Sequence, residues 1–273
     1  MSNFTTRFKS LPAGVAAACY VGALVVIAIG AQFTGIDPTI ISNDALLPPS
    51  TSHILGSDEL GRDVLIGIIF GIQISLSVGF CAAIAATTLG IFIGGISGYY
   101  GGWLDLIVMR ITEVFQVVPS FILAAVIVAL SGPGLTRIVA VIALLAWPQA
   151  ARVMRGEVMR VKQLEFVEAV RCLGYKEGYI LLREVIPNAV SPTLAIGTLI
   201  VGQAILLEAA LSFFGLSNPD LVSWGRMLNS GQRFLFNAWW LSFFPGTAIL
   251  ITVLAFNLLG DSISRALNPK GVK

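Results

Sequence analysis

Residues 73–98 have the sequence QISLSVGFCAAIAATTLGIFIGGISG, and none of these 26 positions carries a charged side chain. A helix needs about 20 apolar residues to cross the roughly 30 Å hydrocarbon core of a bilayer, so this stretch is long enough to span one. The whole chain agrees, because 56% of its 273 residues are hydrophobic and only 12% are charged. An ordinary soluble domain has about 25% charged residues. The sequence therefore predicts an all-α integral membrane protein.

Further apolar runs surround this stretch, and together they predict six transmembrane helices. The third predicted span contains Pro119, which is expected to kink it, and the fourth predicted span is short and contains Trp147-Pro148. The expected spans are 13–33, 73–98, 106–130, 136–151, 191–214 and 243–263. They divide the chain into an N-terminal segment, a first helix with a long loop, a transmembrane core and a C-terminal tail, at 1–12, 13–72, 73–265 and 266–273.

The Lys and Arg residues are distributed unequally between the predicted loops. With the N-terminus inside, 13 of the 17 lie on the inner side and 4 on the outer side. Inner loops of membrane proteins are enriched in basic residues, so we expect a multi-pass inner-membrane protein with both termini in the cytoplasm. The loop 152–190 is then cytoplasmic and the loop 34–72 is extracytoplasmic.

Several functional classes are excluded by what the sequence lacks. A phosphate-binding loop places Lys directly after Gly, and none of the five lysines does so. The chain is therefore predicted not to be an enzyme and to bind no cofactor, and its net charge of +2 does not suggest a nucleic-acid partner. His53 and the three cysteines match no metal-ligand spacing, and we expect all four to be dispensable.

Charged residues inside the predicted spans are candidates for a gate or a translocation path. Arg110 and Glu113 are three residues apart, so they can form an ion pair on one helical face or belong to an inner gate. Glu208 has only apolar neighbours and no basic residue within one turn, so it must face protein or water rather than lipid. It could line the path or its outer gate with water or a second subunit as its partner, or it could make an interhelical hydrogen bond.

Three glycines in the second span follow one another at intervals of four. Gly90, Gly94 and Gly98 would lie on one helical face and allow another helix backbone to approach closely. The spacing fits packing within this chain as well as a seam between two subunits, and the sequence does not decide between them.

The cytoplasmic loop 152–190 contains a short amphipathic pattern. Residues 164–174 place Phe166, Val170 and Leu173 on one helical face, flanked by Val167, and Gly174 is suited to terminate the helix. A second short helix is expected from Lys176 to Arg183, ending before Pro187. Two short helices that meet at a glycine indicate a rigid projection that docks into another protein.

The loop also carries a motif. Glu168-Ala169-Val170, then Gly174, then Ile186-Pro187 resembles the EAA loop (E-A-A-x3-G-x9-I-x-L-P) of permease subunits in binding-protein-dependent ABC importers. In that family the loop inserts into a cleft of the cytoplasmic ATPase and transmits its closing motion to the membrane helices. The resemblance implies an ATPase-coupling role for Glu165, Glu168, Ala169, Gly174, Ile186 and Pro187.

Other segments are similar to one subfamily, the second permease of dipeptide, oligopeptide and nickel importers, and the resemblance covers about residues 10–270. The matching segments are LGSDELGRDV (55–64), GYYGG (98–102), EAALSFFGL (208–216), SWG (223–225) and LAFNLLGD (254–261). The resemblance implies a type I permease fold, alternating access, and a peptide or a related small solute.

The same resemblance implies the partners. They are a second homologous permease, two ATPases, an extracytoplasmic solute-binding protein and the lipid bilayer. A nickel or glutathione importer of the same family is an alternative, and a carrier acting alone or a membrane scaffold are others. Copurification of an ATPase would separate the importer from these last two.

Overall fold

The computed structural model describes residues 2–132, 134–218 and 220–267, and within these ranges the chain is helical without strands. Most of the tail predicted at 266–273 lies outside the described residues. The helices are α1 (Ser2–Lys9), α2 (Pro12–Ala31), α3 (Val64–Tyr100), α4 (Gly102–Val117), α5 (Ser120–Ser131), α6 (Leu135–Val161), α7 (Glu165–Cys172), α8 (Glu177–Tyr179), α9 (Ile186–Phe213), α10 (Trp224–Gly231) and α11 (Trp240–Leu267).

The number of membrane spans agrees with the sequence. In the described part of the chain, five helical segments are long and apolar enough to cross a bilayer, and the bent pair α4–α5 makes a sixth if it is counted as one span. The predicted all-α membrane fold is confirmed. α3 and α11 are longer than expected, because they begin before residues 73 and 243 and end after residues 98 and 263.

The third span is broken rather than kinked. α4 and α5 meet at an angle of 89°, whereas Pro119 was expected only to kink a continuous helix. Val118 has φ −79° and ψ 130°, an extended conformation, because the proline ring disfavours α-helical geometry in the residue before it.

The fourth span is much longer than predicted. α6 has 27 residues, with Pro148 inside it, so the expected end at residue 151 is wrong. Tight packing against α3 holds the helix together on both sides of the proline. A Cβ atom added to Gly98 would lie 2.8 Å from the carbonyl oxygen of Arg155, and one added to Gly94 would overlap the backbone of Ala151. The glycine face is therefore an internal α3–α6 seam.

The predicted second helix of the cytoplasmic loop does not end before Pro187. α8, a π-helical segment (Ile180–Val185) and α9 form one rod of 37 residues from Glu177 to Phe213. Pro187 lies in the first turn of α9. The wide π turn before it removes the α-helical carbonyl contact with which the proline ring would clash.

Most of the predicted loop 152–190 is thus helical continuation of α6 and of the rod. What remains is residues 162–176, which include α7 and which we call the connector. The connector marks one end of the bundle, the α7 end, and α10 marks the opposite α10 end. At the α10 end the segment 32–63 folds back over the helices, where the indole N–H of Trp240 donates to the carbonyl oxygen of Ser57 at 3.1 Å.

Candidate functional site

α7 ends as the sequence predicts. After Cys172, the N–H of Leu173 donates to the carbonyl of Ala169 at 3.1 Å and the N–H of Gly174 to that of Arg171 at 3.0 Å. Gly174 has φ +84°, a left-handed conformation that costs glycine little and strains residues with a Cβ. No atom lies within 4 Å of a Cβ built on Gly174, so a substitution there would strain the backbone without a clash.

α7 is held to the bundle by a different residue from those expected to form its apolar face. Val167 is 0% exposed and belongs to a buried cluster with Val158 of α6 and Val185 of the π segment. Val170 is partly buried against the same cluster, whereas Phe166 and Leu173 point outward. One side chain of the expected apolar face therefore packs against the bundle, and the other two are exposed.

The outward side chains form an apolar surface around the connector, which we call the connector patch. It comprises Leu164, Phe166, Leu173, Tyr175, Tyr179 and Leu182, which are 39–75% exposed. The rings of Tyr175 and Tyr179 stack with centroids 4.8 Å apart. Large exposed apolar surfaces are characteristic of sites that bind other proteins or membranes. The connector patch has the chemistry of a docking surface.

Polar contacts join the connector to the end of α3. The hydroxyl of Tyr99 donates to Glu177, whose other carboxylate oxygen accepts from Arg171 at 3.1 Å. The ammonium of Lys162 donates to the carbonyls of Gly98 and Tyr99 at 2.8 and 3.0 Å. A displacement of α7 would therefore be transmitted directly to the end of α3.

A further contact extends this connection to α4. The guanidinium of Arg155 in α6 binds both carboxylate oxygens of Asp105 in α4, each at 2.5 Å. Paired bonds of this kind fix orientation as well as distance. The sequence reasoning missed the contacts with α3 and α4 because their partners are 50 to 78 residues apart and share no local motif.

The predicted coupling residues lie in two neighbouring places. Glu165, Glu168 and Ala169 are exposed on α7, and Gly174 lies two residues after its end. Ile186 and Pro187 are the first two residues of α9. Ile186 is partly buried against the cluster that holds Val167, and Pro187 is exposed. The π segment joins α8 to α9 in one continuous rod, and α7 is joined to that rod through residues 173–176.

Arg110 and Glu113 form the ion pair that their spacing suggested. The distance between Nη1 and Oε2 is 2.8 Å, and the two side chains are 72% and 49% exposed on α4. Pairs this exposed contribute little to stability. The geometry is that of a surface pair, and a part in an inner gate stays a prediction.

Glu208 lies inside the subunit rather than on its surface. Its side chain is only 2% exposed between α9 and α10. The hydroxyl of Ser212 donates to Oε1 at 2.6 Å, and the side chain of Ser223 also faces the carboxylate. The expectation that water or a second subunit supplies the partner is wrong for Oε1, because Ser212 of this chain does so. Oε2 has no hydrogen-bond partner in the part of the chain that the structure describes.

A cavity of about 760 Å³ lies beside the break between α4 and α5. α4, α6 and α9 each contribute one glutamine to it, namely Gln116, Gln149 and Gln203, and Ser120 lines it at the start of α5. The sequence reasoning missed these residues because it considered only charged groups as markers of a path.

The apolar spans and the exposed apolar connector patch define a multi-pass membrane protein with a surface suited to a partner protein. Residues 86–272 match the family described as binding-protein-dependent transport system inner membrane component, and the chain belongs to that family. The protein is accordingly a transport permease of the inner membrane rather than a catalytic subunit.

Individual relatives cover most of the chain. It is 38% identical to the glutathione transport system permease protein GsiD of Pectobacterium atrosepticum, over 98% of this chain and 90% of that protein. It is 41% identical to the dipeptide transport system permease protein DppC of Bacillus subtilis, over 82% of this chain and 71% of that protein. A DppC protein of Alkalihalophilus pseudofirmus is 38% identical, over 84% and 75%.

Proposed function

We propose that this chain is one of two permease subunits of an ATP-driven importer that moves peptides across the inner membrane by alternating access. The observation that carries the proposal is the connector, a helix anchored by the buried Val167 and surrounded by exposed apolar side chains. A protein that worked alone would have no use for such a surface in water. The sequence supplies no phosphate-binding loop of its own, which fits an ATPase on separate subunits.

The proposed orientation places the α7 end and both termini in the cytoplasm, supported by 13 of the 17 basic residues on that side. Two ATPase subunits would then dock at the connector patches of this chain and of a second, homologous permease. A solute-binding protein would deliver the solute at the α10 end.

In this proposal the connector transmits force to the membrane helices. When the ATPases close, α7 moves with them, because its apolar side chains are buried in the ATPase surface. The contacts of Glu177 and Lys162 with the end of α3, and of Arg155 with Asp105 in α4, carry that motion into the spans. The continuous rod from Glu177 to Phe213 carries it through α9.

The solute is proposed to be a peptide, with glutathione included as a modified tripeptide. The names of the relatives support this class, since they are transport permeases for dipeptides and for glutathione. A nickel complex is the second candidate, and growth on single solutes together with the identity of the neighbouring binding-protein gene would decide between them.

The test is Gly174→Val in the complete importer. A β-branched residue is strained at φ +84°, by about 1–2 kcal/mol, so the turn after α7 should distort. ATP-driven uptake in proteoliposomes and ATPase copurification should both collapse, while the yield of inserted permease stays normal. Gly156→Val is the matched control, because Gly156 is helical and no atom lies within 4 Å of its added Cβ.

Normal uptake and normal ATPase copurification in Gly174→Val would refute the coupling role of the connector. Uptake by the purified wild-type chain in liposomes without any ATPase would refute the importer itself and favour a carrier that acts alone.

A further inference from the structure

The cavity beside the α4–α5 break has features that the proposed function does not yet use. It is lined by the last turn of α4, the break, the first residue of α5, the middle of α6 and the outer half of α9. The three glutamines reach it from three different helices, so their convergence results from the tertiary fold and not from one amphipathic pattern.

The side-chain carboxamides of Gln116, Gln149 and Gln203 have no hydrogen-bond partner among the described residues. None of the three makes a side-chain hydrogen bond to another residue in the ranges that the structure describes, and all three are at least partly exposed. A carboxamide that faces hydrocarbon without a partner is strongly unfavourable. The open side of the cavity must therefore face water, a polar solute or polar groups of another subunit rather than lipid.

The backbone at the break supports the same conclusion. α4 has 16 residues and α5 has 12, so the non-helical residues Val118 and Pro119 fall within the combined span. Irregular backbone at membrane depth occurs only where it is buried in protein or lines a water-filled cavity. Here it lines the cavity and leaves the last carbonyls of α4 free to accept hydrogen bonds.

The lining identifies the kind of solute that it suits. A carboxamide presents one acceptor and two donors, which complement the C=O and N–H of a peptide group. No Asp, Glu, Lys or Arg is among the described residues that line the cavity. The cavity therefore offers no opposite charge to a charged solute, and it does not suit a bare cation, since hard cations prefer carboxylate ligands. Such a surface can bind peptides with different side chains through the group that they all share.

We propose that Gln116, Gln149 and Gln203 contact the peptide groups of the solute during its passage and that the second permease closes the open side of this cavity. The inference rests on the proposed function and adds to it the residues that touch the solute. Glu208, which faces Ser212 and Ser223, does not line this cavity.

The experiment uses the complete importer in proteoliposomes with dialanine as the probe. Gln149→Leu and Gln203→Leu should each reduce ATP-driven dialanine uptake about threefold to tenfold, the effect of one lost neutral hydrogen bond. Copurification of the partner subunits should stay unchanged. Gln203→Asn, which keeps the amide on a shorter side chain, should recover part of the lost uptake. Gln32→Leu, an exposed glutamine at the end of α2, is the matched control.

A second probe separates peptide-group recognition from a general effect on the path. Dialanine with a methylated peptide nitrogen lacks the N–H donor, so the wild type should take it up more slowly than dialanine. In the double variant Gln149→Leu/Gln203→Leu this preference should shrink about threefold or more. The binding protein is the same in both complexes, so a changed preference reports on the permease alone.

Three results would overturn the inference. These are wild-type dialanine uptake in all Gln→Leu variants, an unchanged preference between the two probes, and loss of the second permease on purification of the variants. The last would show that the cavity is filled by a subunit contact. Absence of ATP-driven uptake of both dialanine and glutathione in the wild-type complex would instead contradict the proposed function.

Discussion

The packing of α10 and the connector patch differ in how far the chain satisfies its own side chains. At the α10 end, the indole N–H of Trp224 donates to the carbonyl of Ile68 at 3.0 Å, and the amide of Asn229 to that of Phe213 at 2.6 Å. Trp224 is 1% exposed and Trp240 is 4% exposed. At the α7 end, by contrast, the connector patch leaves apolar side chains uncovered.

This difference predicts which substitutions change the stability of the subunit and which change its transport activity. The contacts of α10 with α3 and α9 are made within this chain, so substitutions at those contacts should change the folding of the subunit itself, although Phe236 and Trp239 nearby are exposed. In the proposed importer an ATPase covers the connector patch, so substitutions there should leave folding unchanged and affect coupling. Each prediction below tests that distinction, beginning with the largest expected effect.

Gly225→Leu should cause the largest loss of stability. A Cβ on Gly225 would lie 2.6 Å from the Cα and carbonyl oxygen of Ala209, so α10 could no longer pack on α9. Overpacking usually costs about 1–3 kcal/mol and can cost more where backbone must move. We expect a lower midpoint of thermal unfolding in detergent and a lower yield of monodisperse protein.

Gly178→Leu at the α7 end is the control for this substitution. No atom lies within 4 Å of a Cβ added to Gly178, so its unfolding midpoint should stay near the wild-type value, with a change within about 0.5 kcal/mol. Equal destabilisation by the two leucines would contradict the distinction between the ends.

The sequence predicted features that depend on local pattern. The apolar runs located the spans, the glycine after Cys172 predicted the end of α7, and the three-residue spacing predicted the Arg110–Glu113 pair. Each of these depends on neighbours within one or two helical turns. They could therefore be predicted without knowledge of the tertiary fold.

Features that depend on distant neighbours were missed or misplaced. α6 continues through Pro148 because α3 packs against both of its halves, and that packing is invisible in the sequence of α6. The third span breaks with an 89° bend after α4, whereas Pro119 in the sequence indicated only a kink in a continuous helix. The three glutamines of the cavity meet only because α4, α6 and α9 converge.

Substitutions of Glu208 should have an intermediate effect, because its buried Oε2 has no hydrogen-bond partner among the described residues, unlike the indole of Trp224 and the amide of Asn229. Glu208→Gln keeps the bond with Ser212 and removes the charge, and it should alter uptake or basal ATPase activity without loss of assembly. Glu208→Leu should do more, since a hydrogen bond to a charged group contributes about 1.5–3 kcal/mol. Uptake kinetics of the complete importer are the measurement.

Glu113→Gln is the control, since that carboxylate is exposed and its pair with Arg110 is expected to contribute little. Normal uptake by both Glu208 variants at normal expression would make this carboxylate a structural group and remove it from the pathway or outer gate.

The smallest effect is expected at His53, which holds the segment 32–63 to the start of α3. Its Nδ1 lies 3.0 Å from Oδ2 of Asp63 and its Nε2 lies 3.4 Å from Oδ2 of Asp44. The hydrogen bond with Asp63, followed by that with Asp44, raises the pKa of the imidazole above its ordinary value. Its contribution to stability is therefore complete below the unfolded pKa of about 6.5 and is lost as the pH rises through the higher folded pKa.

Hydrogen-exchange protection of this segment should fall by less than about fivefold as the pH rises through the folded pKa of His53, because ion pairs close to the surface are weak. His53→Gln should remove the pH dependence and leave uptake intact. Asp44→Asn is the cleaner partner variant, since Asp63 also caps α3 by accepting the N–H groups of Leu65 and Ile66 at 2.8 and 3.1 Å. Protection that rises with pH in the wild type would contradict the assigned sign, and loss of uptake in His53→Gln would show that the α10 end needs this histidine for transport.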